Sequence, residues 1–231
     1  MIMKYLFVDV ISICISTIVY ATLITFLFLL FQLYLAPTYM SIFSHISVFI
    51  SLILGLSVVH LLSGFSLILD TRKESKIYWV HVLWTFNMLL TVVLVWLSSF
   101  VLSPLNEISV IHFINLLAYS IVTYLMSALL YPVQGEEVTD FLEHFDSNYK
   151  RFSFLGILFV LVDGIDGLLE HFEAGIPIDI GQFATLGIWL ILFTSSLFFQ
   201  NRTFKAIVSI VYTIGLLGWL HSLIDTGVLS W

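Results

Sequence analysis

The sequence predicts an all-α integral membrane protein: one bundle of seven transmembrane helices, N-terminus in the cytoplasm and C-terminus outside. Three observations carry that expectation. Hydrophobic residues occupy 60% of the 231 positions and charged residues only 10%, against roughly 45–50% and about 25% in an ordinary soluble domain. Seven apolar stretches come close to or exceed the length of about 20 residues that crosses a hydrocarbon core. The lysines and arginines fall only in alternate connections between those stretches.

The stretches cover residues 8–35, 47–69, 77–102, 108–131, 152–171, 183–200 and 205–224. The first contains Asp9 as its one charge and is far longer than the apolar core of a secretory signal, about 7–15 residues, so it reads as a retained span. It also holds Cys14, which has no cysteine partner in the chain and reads as a small packing residue. The second is rich in small residues, Ser51, Gly55, Ser57, Ser63 and Gly64, which suit close helix packing. The third begins with Tyr78 and Trp79, an interfacial aromatic pair. None of the runs alternates with period two, so a closed barrel is excluded and helices remain.

Orientation follows from charge. With a cytoplasmic N-terminus, seven crossings place Lys4, then Arg72, Lys73 and Lys76, then Lys150 and Arg151, then Arg202 and Lys205 all inside, while residues 36–46, 103–107 and 172–182 contain no Lys or Arg. That is the positive-inside pattern, and a bacterial cytoplasmic membrane is the expected location. Most connections are short, so residues 1–231 form one transmembrane domain of antiparallel neighbours. Within 133–151, Val138, Phe141, Leu142 and Phe145 recur at helical spacing, with Glu136, Glu137, Asp140, Glu143 and Asp146 beside them. An amphipathic cytoplasmic helix over about 136–147 is expected, docked under the bundle or holding a protein partner. Its acidity disfavours anionic lipid. The formal charge of −7 likewise argues against a nucleic-acid partner.

Ionisable groups at membrane depth are costly, so they mark candidate functional positions. The fifth stretch carries Asp163, Asp166 and Glu170, three and four residues apart and therefore on one helical face. Gly164 and Gly167 thin the helix beside them. The fourth stretch presents His112, Asn115 and Tyr119 along one stripe, and the seventh presents His221 and Asp225 one turn apart. At about 1.5 Å per residue all of these belong to the outer half of the membrane. If the three helices face one another, the set has three physical uses: proton or cation handling, a divalent metal such as zinc held by His112, Asp166, His221 and Asp225, or a hydrogen-bonded lock between helices. Glu170, His171 and Glu173 also read as a solvated helix end. A thinner set, His60, His81 and Asn87, reads mainly as core or interfacial groups with one hydrogen bond each.

No motif demands a cofactor or names a reaction. A retinal protein needs a Schiff-base lysine inside the last span, where this chain has Lys only at the start. The regular histidine spacing of haem carriers is absent. Seven-span zinc hydrolases of the ceramidase type share the expected topology, but the last span here offers His221 and Asp225 rather than two histidines, an analogy of topology alone.

Two stretches carry a resemblance. Residues 55–64 (Gly-Leu-Ser-Val-Val-His-Leu-Leu-Ser-Gly) followed by 78–84 (Tyr-Trp-Val-His-Val-Leu-Trp), and His144-Phe145 with 148–152 (Asn-Tyr-Lys-Arg-Phe) leading into Asp163-Gly164-Ile165-Asp166, resemble a group of bacterial multi-spanning membrane proteins without an assigned function. The resemblance covers the second to fifth stretches. It implies membrane location and a helical bundle and carries no activity.

The leading expectation is a protein that binds or moves a proton or a small cationic or polar solute through Asp163, Asp166, Glu170, His112, Asn115, His221 and Asp225, with Asp166 and His221 as the protonatable pair. A metal-dependent intramembrane hydrolase using the same residues is one alternative, and a sensory or scaffolding component using the 136–147 helix is the other.

Overall fold

The computed structural model describes residues 41–70, 78–105, 107–132 and 141–225. The expected first span, residues 8–35, lies outside them, as do Lys4, Arg72, Lys73, Lys76, Glu136, Glu137, Val138 and Asp140.

Six helices long and apolar enough to cross a membrane are present among the described residues, and there is no strand. The protein is therefore an all-helical, multi-pass membrane protein. The helices are α1 (Ile42–Asp70), α2 (Trp79–Ser98), α3 (Val110–Leu130), α4 (Phe141–Ala174), α5 (Ile180–Phe198) and α6 (Arg202–Asp225). Each coincides with one of the apolar stretches read from the sequence. Their ends have local chemical causes. A 3-10 turn, Ser99–Leu102, finishes α2 just before Pro104. The Ser109 side chain caps α3 by accepting from the His112 N–H. Asp179 caps α5 through the Gly181 N–H. Gly175, at φ 68°, takes the left-handed conformation that ends α4.

One element differs from expectation. Residues 141–147 are the first two turns of α4 itself, not a separate surface helix. The segment from Ser147 to Arg151 contains neither Gly nor Pro, so nothing interrupts the i→i−4 ladder. At 34 residues the helix is about 50 Å long and outreaches a hydrocarbon core of about 30 Å. The apolar stripe expected to dock does so: Phe141 and Phe145 are buried against His81, Tyr131 and Tyr78.

Neighbours pack in the cyclic order α1, α2, α6, α5, α4, α3, with α2 also touching α3. The ends of the bundle are chemically unlike. Lys150, Arg151, Arg202 and Lys205 gather at one end, where α4 and α6 begin, while Glu107, Glu173 and Asp179 mark the other. These are the basic and acidic ends of the bundle. The distribution of polarity is that of a protein dissolved in lipid. Phe49, Leu56, Ile111, Ile191 and Ile214 face outward, whereas Ser57, Thr85, Thr91, Ser120, Thr123, Ser127, Ser153 and Ser209 are buried. Several of those hydroxyls donate to the carbonyl one turn back, Thr91 to Asn87 at 2.8 Å and Thr123 to Tyr119 at 2.8 Å among them.

Trp84 of α2 is fully buried at the centre, its ring 4.7 Å from that of Phe152 on α4 and 5.1 Å from that of Tyr212 on α6, with Phe193 of α5 at 6.2 Å. Polar ties hold α2 to α6: Asn87 Nδ2 donates to the Ser209 carbonyl at 3.1 Å, Thr213 donates to Asn87 Oδ1 at 2.9 Å, and the Thr91 and Tyr212 hydroxyls share a hydrogen bond at 3.1 Å. His81 binds the Leu130 carbonyl through Nε2 at 2.8 Å. His81 and Asn87 thus have the helix-bridging roles expected of isolated polar groups. His60 is half-buried, its nearest aromatic neighbour Tyr131, and its Nε2 has no hydrogen-bond partner.

Glycine is needed where backbones meet rings. The Tyr131 ring lies directly over Gly64, in the space a Cβ would fill. Gly64→Leu is expected to push α1 away from this ring and lower the melting temperature in detergent by several degrees, while Gly55→Leu, at a site open on all sides, leaves it unchanged.

Candidate functional site

The site is built on α4. Asp163, Asp166 and Glu170 share one face of the helix, and all three line a cavity of about 1290 Å³ bounded by the end of α2, the second half of α4, and the facing parts of α5 and α6. The aromatic cluster around Trp84 closes the middle of the bundle, and the cavity extends from there to the acidic end, where Ser103, Pro104, Ile176 and Pro177 contribute to its wall. Opposite α4 the lining is mostly apolar or small: Leu186 and Trp189 of α5, and Gly215, Gly218, Trp219 and Leu223 of α6. Among the described residues no Lys or Arg lines it. Asp163 and Asp166 are only 7% and 6% exposed, which leaves their charge to be met by what lies inside the protein.

Asp166 is met from α3. Asn115 donates through Nδ2 to Asp166 Oδ1 at 3.0 Å and to the Val162 carbonyl at 3.3 Å. His112 Nε2 lies 3.3 Å from the same carboxylate oxygen, without the alignment of a hydrogen bond. The other ring nitrogen, Nδ1, is 3.0 Å from Glu173 Oε2. Glu173 also accepts from the Ser109 hydroxyl and, at 3.4 Å, from its N–H. A fully buried imidazole is therefore suspended between two carboxylates, one lining the cavity and one at the acidic end. As imidazolium it offers a donor to each; as neutral imidazole it offers one.

Asp163 has the Tyr119 hydroxyl of α3 as its hydrogen-bonding neighbour, at looser geometry than the Asn115–Asp166 bond. Glu170 feels Asp163 and Asp166 as like charges and His112 as an opposite one. Of the three cavity carboxylates, Asp166 has an amide and an imidazole beside it, Asp163 a phenol, and no described Lys or Arg lines the space to balance Asp163 or Glu170.

Of the residues singled out in the sequence, Asp163, Asp166, Glu170, His112 and Asn115 come together. His221 and Asp225 do not join them. Both are exposed on the last turns of α6 and pair with each other, Nε2 to Oδ2, at 3.4 Å. The partner of Asp166 is thus His112 rather than His221, because His112 points into the α3–α4 contact and His221 away from the bundle. The candidate zinc set is divided in the same way, and among the described residues no three His, Cys, Asp or Glu side chains converge as metal ligands. Gly167 admits Gln182 of α5 to within 3.5 Å of where a Cβ would stand, and Gly164 lies near Leu186, so α5 is the neighbour that these glycines let in. His171 is turned to the loop, Nδ1 to the Ile176 carbonyl at 2.8 Å.

Two charged residues escaped the sequence reading as site or lock. Glu173 lies two turns beyond Asp166 on the same face, so continuation of the i, i+3, i+7 series was its signal. Lys205, nearly fully buried, pairs with Asp146 of α4 and stands 4.7 Å from the centre of the Tyr149 ring. Nothing in its sequence context distinguishes it from a solvated interfacial lysine.

Comparison with protein-family models, with curated proteins and with solved structures finds no significant match to this chain. The functional reading therefore rests on the site alone.

Proposed function

We propose that the protein binds a small cationic or polar solute in this acidic intramembrane cavity, exchanging it against protons and carrying it toward the acidic end of the bundle. The observation that supports this most is that Asp163 and Glu170 stand on the wall of a cavity whose described lining has no basic side chain. A buried anion without a counter-charge is costly, so it is stable only when protonated or when a cation accompanies it. Among the described residues, Asp163, Asp166, Glu170 and Glu173 from α4, His112 and Tyr119 from α3, Asp179 before α5 and Tyr212 from α6 are titratable groups around the site. Protonating Asp163, Glu170 or His112 removes negative charge or adds positive charge at the site and so weakens cation binding.

The test is cation-driven proton release from protein in weakly buffered lipid nanodiscs, titrated with Na⁺, Mg²⁺, Zn²⁺, tetramethylammonium and tetraphenylphosphonium. At least one should release protons from the wild type, and Asp163→Asn with Asp166→Asn should abolish the signal. Silence from every cation overturns the reading. His112→Ala should alter the pH dependence of release, whereas His221→Ala should leave it unchanged. An effect of His221 alone would return the site to the α6 pair. Flux of the active cation into liposomes then separates transport from binding.

In this reading residues 8–35 add a seventh span, and the chain lies N-in and C-out in a bacterial cytoplasmic membrane, because that arrangement puts all eight Lys and Arg inside. In a Cys14→Ser background, a membrane-impermeant maleimide applied to intact cells should label Glu107→Cys and spare Asn201→Cys. The reverse pattern would invert the orientation.

A further inference from the structure

The cavity is far larger than a proton or an inorganic ion needs. It is half open, with the outward-facing Ile188 and Ile214 in its lining, and its volume of about 1290 Å³ has room for a drug-sized ligand. Its walls are also divided by chemistry. Carboxylates stand on α4, while opposite them α5 and α6 supply the indoles of Trp189 and Trp219 and the bare backbone of Gly215 and Gly218. Gly218 leaves room, and Gly215 admits the Trp189 ring. The Trp189 indole occupies the position of the absent Gly215 side chain, its Nε1 2.6 Å from where a Cβ would stand, and nothing lies within 4 Å of the corresponding point at Gly218. Asp163, more than nine-tenths buried, lines the same space, in which no described Lys or Arg stands to balance it.

A dehydrated metal ion would need ligands converging within about 2–2.6 Å, and the described carboxylates and imidazoles offer no such group of three. An organic cation needs something else: one carboxylate for its charge, aromatic faces for its cationic surface, and apolar space for its substituents. This cavity has a carboxylate, apolar space and two indoles in its lining. We infer that the ligand is an organic cation, a single quaternary or delocalised positive charge carried on apolar groups, with the charge toward Asp163 and the apolar groups toward Trp189, Trp219 and the Gly218 side. The inference rests on the acidic-cavity reading and narrows it to one ligand class.

The probe is tetraphenylphosphonium, titrated against the protein in nanodiscs and followed by tryptophan fluorescence and equilibrium dialysis. Tetraphenylborate, of the same shape and opposite charge, controls for partitioning into lipid. Saturable binding of the cation and not of the anion is expected. Asp163→Asn should weaken it about tenfold or more, the loss of one charge contact. Gly218→Leu should weaken it similarly by filling the cavity while leaving every carboxylate in place, and its unchanged elution and melting temperature would show that the fold is intact. Equal binding to wild type, Asp163→Asn and Gly218→Leu would mean lipid partitioning and overturn the inference. If Na⁺, Mg²⁺ or Zn²⁺ binds in an Asp163-dependent way and tetraphenylphosphonium does not, the inference falls and the acidic-cavity reading stands. If no cation binds, both fall.

Discussion

Phe141→Ser combined with Phe145→Ser is expected to prevent the protein from accumulating in folded form. Both rings are almost wholly buried, Phe145 with its centroid 5.3 Å from that of His81 and 5.8 Å from that of Tyr78. They belong to the part of α4 that extends beyond a hydrocarbon thickness, where the unfolded alternative is water and not lipid, so the ordinary cost of truncating a buried Phe applies. At about 3–5 kcal/mol each, two such losses approach the whole stability of a typical domain, about 5–15 kcal/mol. Size-exclusion elution and a thiol-independent thermal melt in detergent provide the measurement. A double variant that stays monodisperse and stable would show that this face of α4 is spare, and would revive the scaffolding alternative in which a partner covers it.

The second large effect concerns the basic end. Asp146→Ala removes the carboxylate that Lys205 pairs with and leaves a buried ammonium beside the Phe145 and Tyr149 rings. Orphaning one member of a buried pair costs about 3–5 kcal/mol, less here in so far as the lysine can extend its head toward the interface. Replacing both members by apolar groups of similar volume, Lys205→Met with Asp146→Leu, removes the orphan and should recover most of the loss. A double variant no better than Asp146→Ala would mean that the contact between α4 and α6 depends on the charge pair itself and not on filling the space between them.

Several features of the chain were legible without coordinates because they depend on local chemistry. Apolar length and composition set the positions of α1 to α6, since a helix is the only single segment that satisfies its own backbone in lipid. The i, i+3, i+7 spacing put Asp163, Asp166 and Glu170 on one face of α4 and His112, Asn115 and Tyr119 on one face of α3. Gly164 and Gly167, by contrast, meet only side-chain ends of α5, at ordinary van der Waals distance.

What spacing could not supply was the identity of the facing helix. His112 and His221 have equivalent depth and equivalent chemistry, and only the cyclic order of the helices decides that α3 and not α6 lies against this part of α4. The burial of Lys205, the conscription of Glu173, the continuity of α4 through residues 141–152 and the cavity opposite the carboxylates are tertiary facts of the same kind. A sequence determines which faces each helix possesses. Which face meets which is decided by the packing of Trp84, Tyr131, Phe193 and Trp189 against glycines and rings on other helices, because in lipid shape complementarity rather than hydrophobicity selects the partners.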